Sequence, residues 1–190
     1  MTIFQWIIPA LWLVFMVYWG ISALGAKRSI ASRAWWTQSL LRLAIIVLTL
    51  LSIRILGMGH ALRIAQVYQT RSIVLGAIGT ILVAAGIGLA VYARVYLGRN
   101  WGMPMSRKED PELVTGGPYA FVRHPIYAGI ILAMLGSAIG QSLFWTLPLI
   151  LFAAYFVHCA RQEEELMRAQ FPDQYPDYMR RTNMILPFVL

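Results

Sequence analysis

The chain has 190 residues, of which 59% are hydrophobic and only 13% charged. Soluble domains carry about 25% charged residues, so these residues do not form a surface that faces water alone, and a polytopic membrane protein is the first reading. The net charge of +8 does not point to nucleic acid, because the arginines lie mostly between oily runs, where basic loops orient helices and meet anionic headgroups. One cysteine, Cys159, excludes an internal disulfide and a thiolate zinc cluster.

A spanning helix needs roughly 20 mostly apolar residues. Ile3 to Leu24 meets that length. It lacks the basic flank of a signal peptide and is longer than the usual apolar core of one, so it reads as a retained membrane helix. Leu40 to Met58 is a second candidate, with Arg42 and Arg54 near its ends where they can snorkel. Ile73 to Leu97 is a third. Its glycines (Gly76, Gly79, Gly86, Gly88) would let a neighbouring helix approach closely. Pro125 to Ala160 is too long for one span and is interrupted at Gly140-Gln141-Ser142, which predicts a tight helical hairpin. The first arm, about 14 residues at 1.5 Å each, is short for a full crossing. From Arg161 to about Thr182 the chain is polar.

The sequence therefore predicts an all-α integral membrane protein of about five transmembrane helices, the last two forming the hairpin. Residues 1–95 would hold the first three helices and residues 96–190 the third loop, the hairpin and the tail, within one structural domain. Basic residues cluster in the first loop, the third loop and the tail, which places the N-terminus outside and the C-terminus in the cytoplasm, in the inner membrane if the cell is prokaryotic. All eight acidic residues also fall in the third loop or the tail. Opposite charges thus gather at one rim of an oily bundle.

Two segments at that rim carry the chemistry. In GPYAFVRHPIYAG (Gly117 to Gly129), Pro125 suits the first turn of a helix with His124 at or beside its cap. The positive helix end and Arg123 then suggest a receptor for a carboxylate or phosphate, against the plainer reading of lipid contact and capping. In RQEEEL (Arg161 to Leu166), Arg161 and Glu165, like Glu164 and Arg168, have the spacing of helix ion pairs. One inward glutamate could instead hold an ammonium. Together the two segments would grip an amino-acid head group. His158 reads as a hydrogen-bonded bundle residue rather than a base.

These residues, in order, resemble a known family. LGRNWG (Leu97–Gly102), PELVTGGPYAFVRHPIYAG (Pro111–Gly129), EEELMRAQFPDQY (Glu163–Tyr175) and LPF (Leu186–Phe188) are similar to the isoprenylcysteine carboxyl methyltransferases and their phospholipid methyltransferase relatives. The resemblance covers about half the chain, from Tyr96 onward. It implies a membrane methyltransferase that uses S-adenosyl-L-methionine, with a cytosolic-side pocket built from the third loop and the tail. Leu113 and Val114 would approach the cofactor, Tyr119 would line the pocket, His124, Pro125, Ile126 and Tyr127 would form its corner, and Glu163 or Glu164 would close it. No metal is implied.

Two positions depart from the family pattern. An arginine often found one turn before the glutamate is Cys159 here, with Arg161 nearby as the substrate-orienting cation, and FPD (Phe171–Asp173) replaces FG. The acceptor implied is lipophilic or prenylated, with an isoprenylcysteine-like carboxylate first because no dedicated base is evident. A phospholipid amine or a small thiol is the alternative. A sterol-type NADPH reductase or a non-catalytic scaffold is a more distant reading.

Overall fold

A computed structural model describes residues 2–23, 29–30, 69–101, 107–108 and 112–185. Within them the chain forms four long or medium helices and one short one: α1 (Phe4–Ala23), α2 (Ile73–Leu97), α3 (Pro125–Gly140), α4 (Thr146–Gln170) and α5 (Tyr175–Arg181). The extended elements among the described residues are a two-residue antiparallel pair, β1 (Ser29–Ile30) with β2 (Arg107–Lys108), and isolated bridges. Among the described residues three helical segments are long and apolar enough to cross a membrane: Phe4–Ser22, Ile73–Leu97 and Leu143–Gln170. Their outward faces expose large apolar side chains such as Trp6, Leu13, Val17, Ile81, Leu147 and Leu151. That is the surface of a multi-pass membrane protein, where lipid and not water covers the outer face. The expected span Leu40 to Met58 lies outside the described residues.

Local chemistry sets the helix boundaries. Ser72 caps α2 by accepting a hydrogen bond from Leu75 N. Gly98, with φ of 55°, ends it in the left-handed region that glycine adopts without strain. Pro125 is the first residue of α3, where its missing N–H costs nothing. Gly140 ends α3, and the Ser142 hydroxyl accepts from Phe144 N to start the short turn Leu143–Trp145 that leads into α4. The predicted hairpin is present, with α3 at 16 residues.

The second arm of that hairpin differs from the sequence reading. The polar stretch from Arg161 is no separate tail, since α4 runs unbroken from Thr146 to Gln170. Nothing in RQEEELMRAQ breaks a helix, so the backbone carries the glutamates out of the bilayer on a rigid rod.

The closest packing is between α2 and α3. A Cβ built on Gly86 would come 2.4 Å from Gly129 O and 2.5 Å from Ala133 N, and one on Gly79 would lie 2.4 Å from Gly140 Cα. Small residues on both helices thus let the backbones touch. Gly76 faces the Phe4 ring of α1, whereas Gly88 meets nothing within 4 Å and has no part in the seam. Replacing Gly86 by Ala should overpack the seam, costing about 1–3 kcal/mol and lowering the thermal midpoint of the protein in lipid nanodiscs. Gly88→Ala should be neutral or stabilising, by up to about 1 kcal/mol. Equal midpoints for the two variants would show that the seam is loose.

Candidate functional site

The corner before α3 is held by the end of the chain. Val122 bridges Asn183, Arg123 N donates to Asn183 O at 2.8 Å, and His124 N donates to Met184 O at 3.0 Å. The Tyr178 hydroxyl of α5 donates to Tyr119 O at 2.6 Å. Both backbone donors of Arg123 and His124 are therefore spent on the tail, and the side chains turn inward toward α4.

There they meet the glutamates. Arg123 Nε donates to Glu164 Oε1 at 2.6 Å, and its Nη1 donates to the carbonyls of Met179 and Thr182. Tyr127 Oη donates to Glu163 Oε1 at 2.6 Å. His124 lies between the two carboxylates, with Nδ1 3.4 Å from Glu163 Oε2 and Nε2 3.6 Å from Glu164 Oε1. Its Nε2 is buried and has no hydrogen-bond partner. The imidazole also stacks on Tyr127, with centroids 5.4 Å apart, and Tyr127 stacks on Phe156 at 4.8 Å.

The sequence-predicted residues fall into distinct groups. His124, Tyr127, Glu163 and Glu164 are brought into one cluster. Pro125 and Ile126 are buried beneath it. Tyr119 is buried in the same core, donating to Ala93 O at 3.4 Å, and Val114 packs against that core while Leu113 is half-buried beside it in sequence. Successive residues on a helix point about 100° apart, so Glu163 and Glu164 face inward while Glu165 is exposed. Arg161 is also exposed and is not gathered into the cluster.

The electrostatics differ from the sequence reading in one respect. Arg123 does not stand opposite the glutamates as a free anion receptor. It is neutralised by Glu164, which is correspondingly unavailable for the helix pair expected with Arg168; Arg168 Nε instead contacts Met179 Sδ. His124 is the N-cap residue by position but makes no side-chain capping bond. Beside the Arg123–Glu164 pair, the charge of the cluster is set by Glu163 and by His124, whose two ring nitrogens lie 3.4 and 3.6 Å from the carboxylates.

His158, expected inside the bundle, is exposed. Arg94, Phe156 and Cys159 were not assigned to the site from sequence, yet Phe156 and Cys159 belong to the buried core with Tyr127. The four-residue step from Phe156 to Ala160 and Glu164 along one helical face was the available signal.

Residues 74–174 match the phospholipid methyltransferase family profile. The chain belongs to that family. It is 34% identical over 104 residues to the cobalt-zinc-cadmium resistance protein CzcN of Cupriavidus metallidurans, an alignment covering 53% of this chain and 48% of CzcN. It is 36% identical over 88 residues to methanethiol S-methyltransferase 1 of Bradyrhizobium diazoefficiens, covering 41% of this chain and 27% of that protein. To the protein-S-isoprenylcysteine O-methyltransferase of Schizosaccharomyces pombe it is 28% identical over 130 residues, covering 66% and 52%. The chain spans about half the length of the curated relatives it matches first. Its fold is similar to that of a eukaryotic intramembrane Ras methyltransferase, isoprenylcysteine carboxyl methyltransferase, with a TM-score of 0.51 at 23% identity over 84% of this chain and 55% of that one. The region shared with the family contains the whole charged cluster from Arg123 to Glu164.

Two measurements check this geometry. Glu164→Gln strands the buried Arg123 and should cost about 3–5 kcal/mol, most of it recovered when Arg123→Gln is added; a strictly additive double variant would show that the pair is not coupled. The second concerns pH. Burial alone would push the His124 imidazole down, but the Glu163 and Glu164 carboxylates outweigh it and hold the imidazole above its ordinary value. The extra stability is therefore complete below about pH 6.5 and is lost as pH rises through the raised folded value. The wild-type midpoint should fall relative to that of His124→Gln over that interval, and a pH-independent difference would contradict the assignment.

Proposed function

We propose that the chain is a membrane-embedded methyltransferase that uses S-adenosyl-L-methionine to methylate a lipophilic acceptor, with the carboxylate of an isoprenylcysteine-like group as the preferred one. The observation that carries this is His124, buried between the Glu163 and Glu164 carboxylates with Nδ1 and Nε2 3.4 and 3.6 Å from them and no hydrogen bond closed at Nε2. Such a cluster accommodates a group with positive charge and hydrogen-bonding capacity. The methyl donor has a cationic sulfonium, an ammonium and a carboxylate, and its cationic groups complement the carboxylates of the cluster.

In this reading Glu163 and Tyr127 hold the cationic end of the cofactor, and His124 contributes Nε2. Leu113, Val114, Tyr119, Pro125 and Ile126 supply the surrounding backbone and apolar wall. Glu164 acts through Arg123 to keep the corner closed. When bound, the sulfonium supplies an activated methyl group with a good leaving group. The protein therefore mainly orients the reactants and excludes water. A carboxylate acceptor needs no base. Arg161 is the sequence-based proposal for a cation that orients the acceptor from the polar rim. The positive-inside pattern of the sequence supports a cytoplasmic rim, with the N-terminus outside. A small-thiol acceptor is the second reading, favoured by the 36% identity to a methanethiol S-methyltransferase.

S-adenosylhomocysteine should raise the thermal midpoint of the purified chain in nanodiscs, and NADPH should not. Glu163→Gln should weaken S-adenosylhomocysteine binding roughly ten- to hundredfold, the range of one lost hydrogen bond to a charged group. Stabilisation by NADPH alone would favour a reductase, and stabilisation by neither would favour a scaffold.

A further inference from the structure

The cofactor reading makes no use of Arg94. This residue lies in the last turn of α2 and is 5% exposed. Its Nη1 donates to Gly98 O at 2.7 Å, and its Nη2 donates to Ser22 O at the end of α1. The guanidinium carbon sits 4.5 Å from the centre of the Trp101 ring. Its Nε is buried with no hydrogen-bond partner, and no carboxylate pairs with Arg94 among the described residues. In the Gly98–Asn100 turn that Arg94 holds, Asn100 Oδ1 is a second buried polar atom without a partner.

A charged group this buried is ordinarily paired. The carbonyl end of α2, the two neutral acceptors and the Trp101 face offset part of the desolvation cost. They leave a donor and a full positive charge without an anion. The surroundings are apolar and aromatic. Trp101 meets Trp19 edge to face at 5.6 Å, and both pack, with Leu97 and Val114, against the core that contains Tyr119, Tyr127 and Phe156. Tyr119 links the two ends of this layer, since its hydroxyl donates to the carbonyl of Ala93, next to Arg94, and the charges of Glu163 and Arg94 both reach it. A buried cation thus borders the same packed layer as the charged cluster.

We propose that Arg94, seated on Trp101, determines acceptor specificity by receiving the anionic group of the lipophilic methyl acceptor, whose apolar tail lies against Trp19 and α1. This rests on the methyltransferase reading. For a carboxylate acceptor, one carboxylate oxygen forms the new C–O bond while the S–C bond of the donor breaks, its electron pair staying on sulfur. No proton moves. The ester product is neutral and loses its ionic hold on Arg94, which favours release. A planar guanidinium suits a carboxylate better than an ammonium does.

The test uses the full chain in nanodiscs with S-adenosylhomocysteine bound, and an N-acylated farnesylcysteine as free acid or as carboxamide. The wild type should bind the acid at least about tenfold more tightly than the amide, the scale of one charge-assisted contact. Arg94→Lys should shrink that preference severalfold and raise acceptor KM more than it lowers kcat, with S-adenosylhomocysteine affinity unchanged. Equal wild-type binding of acid and amide overturns the proposal, as does loss of the preference in Arg161→Gln but not in Arg94→Lys. Equal losses of acceptor and S-adenosylhomocysteine affinity in Arg94→Lys would assign Arg94 a purely structural role, which also overturns it. If Arg94→Lys does not fold, the wild-type comparison and Arg161→Gln decide. Failure of the wild type to bind S-adenosylhomocysteine rejects the methyltransferase reading itself and is thereby distinguished from failure of the Arg94 assignment.

Discussion

The arrangement of the rim depends on the buried pair between Arg123 and Glu164. Taking both charges out of water costs several kcal/mol per ion before their attraction repays it, so the pair needs further support. It gets that support from the carbonyls of Met179 and Thr182, which share the guanidinium. One side chain thereby joins the entrance of α3, the polar half of α4 and the C-terminal end of α5. With Glu164 occupied, its neighbour Glu163 is presented to Tyr127 and His124. The chemistry of the cluster is what this pair leaves over.

A second constraint acts from below. The glycine seam between α2 and α3 admits no side chain, so the two backbones have one close register. That register gathers Ala93, Tyr119 and Tyr127 into one buried core. The His124–Tyr127–Phe156 stack then extends the same order to α4. Rigid helices, rather than loops, carry most of the side chains that matter, which is how a site keeps its geometry in a thin apolar bundle.

Membership of the phospholipid methyltransferase family and the likeness in fold to an intramembrane Ras methyltransferase agree with a rim that concentrates charge beside greasy surface. Relatives with different names share this half of the chain. Differences in acceptor are then expected to lie outside the Arg123–Glu164 cluster, among the residues that border lipid. Arg94, Trp101 and Trp19 lie outside that cluster, Arg94 buried and the two tryptophans packed against the core.

Much of this was legible in the sequence, for definite reasons. Apolar runs of membrane length announce helices because a bilayer leaves the backbone no other way to satisfy its hydrogen bonds. Pro125 marked a helix start and Gly140-Gln141-Ser142 a turn because each acts through its own backbone. His124, Tyr127 and the two glutamates were named from motifs that lie close in sequence on either side of the hairpin. Which cation faced which anion was not legible. Local spacing offered Arg168 to Glu164 and Arg161 to Glu165, but burial rewards a pair closed across helices more than an exposed pair along one, so Arg123 took Glu164. Nor could spacing show that α4 continues past the membrane or that Arg94 ends in an aromatic pocket without an anion. Pairings across 41 residues and the burial of a lone charge depend on how helices pack, and only the tertiary structure decides that.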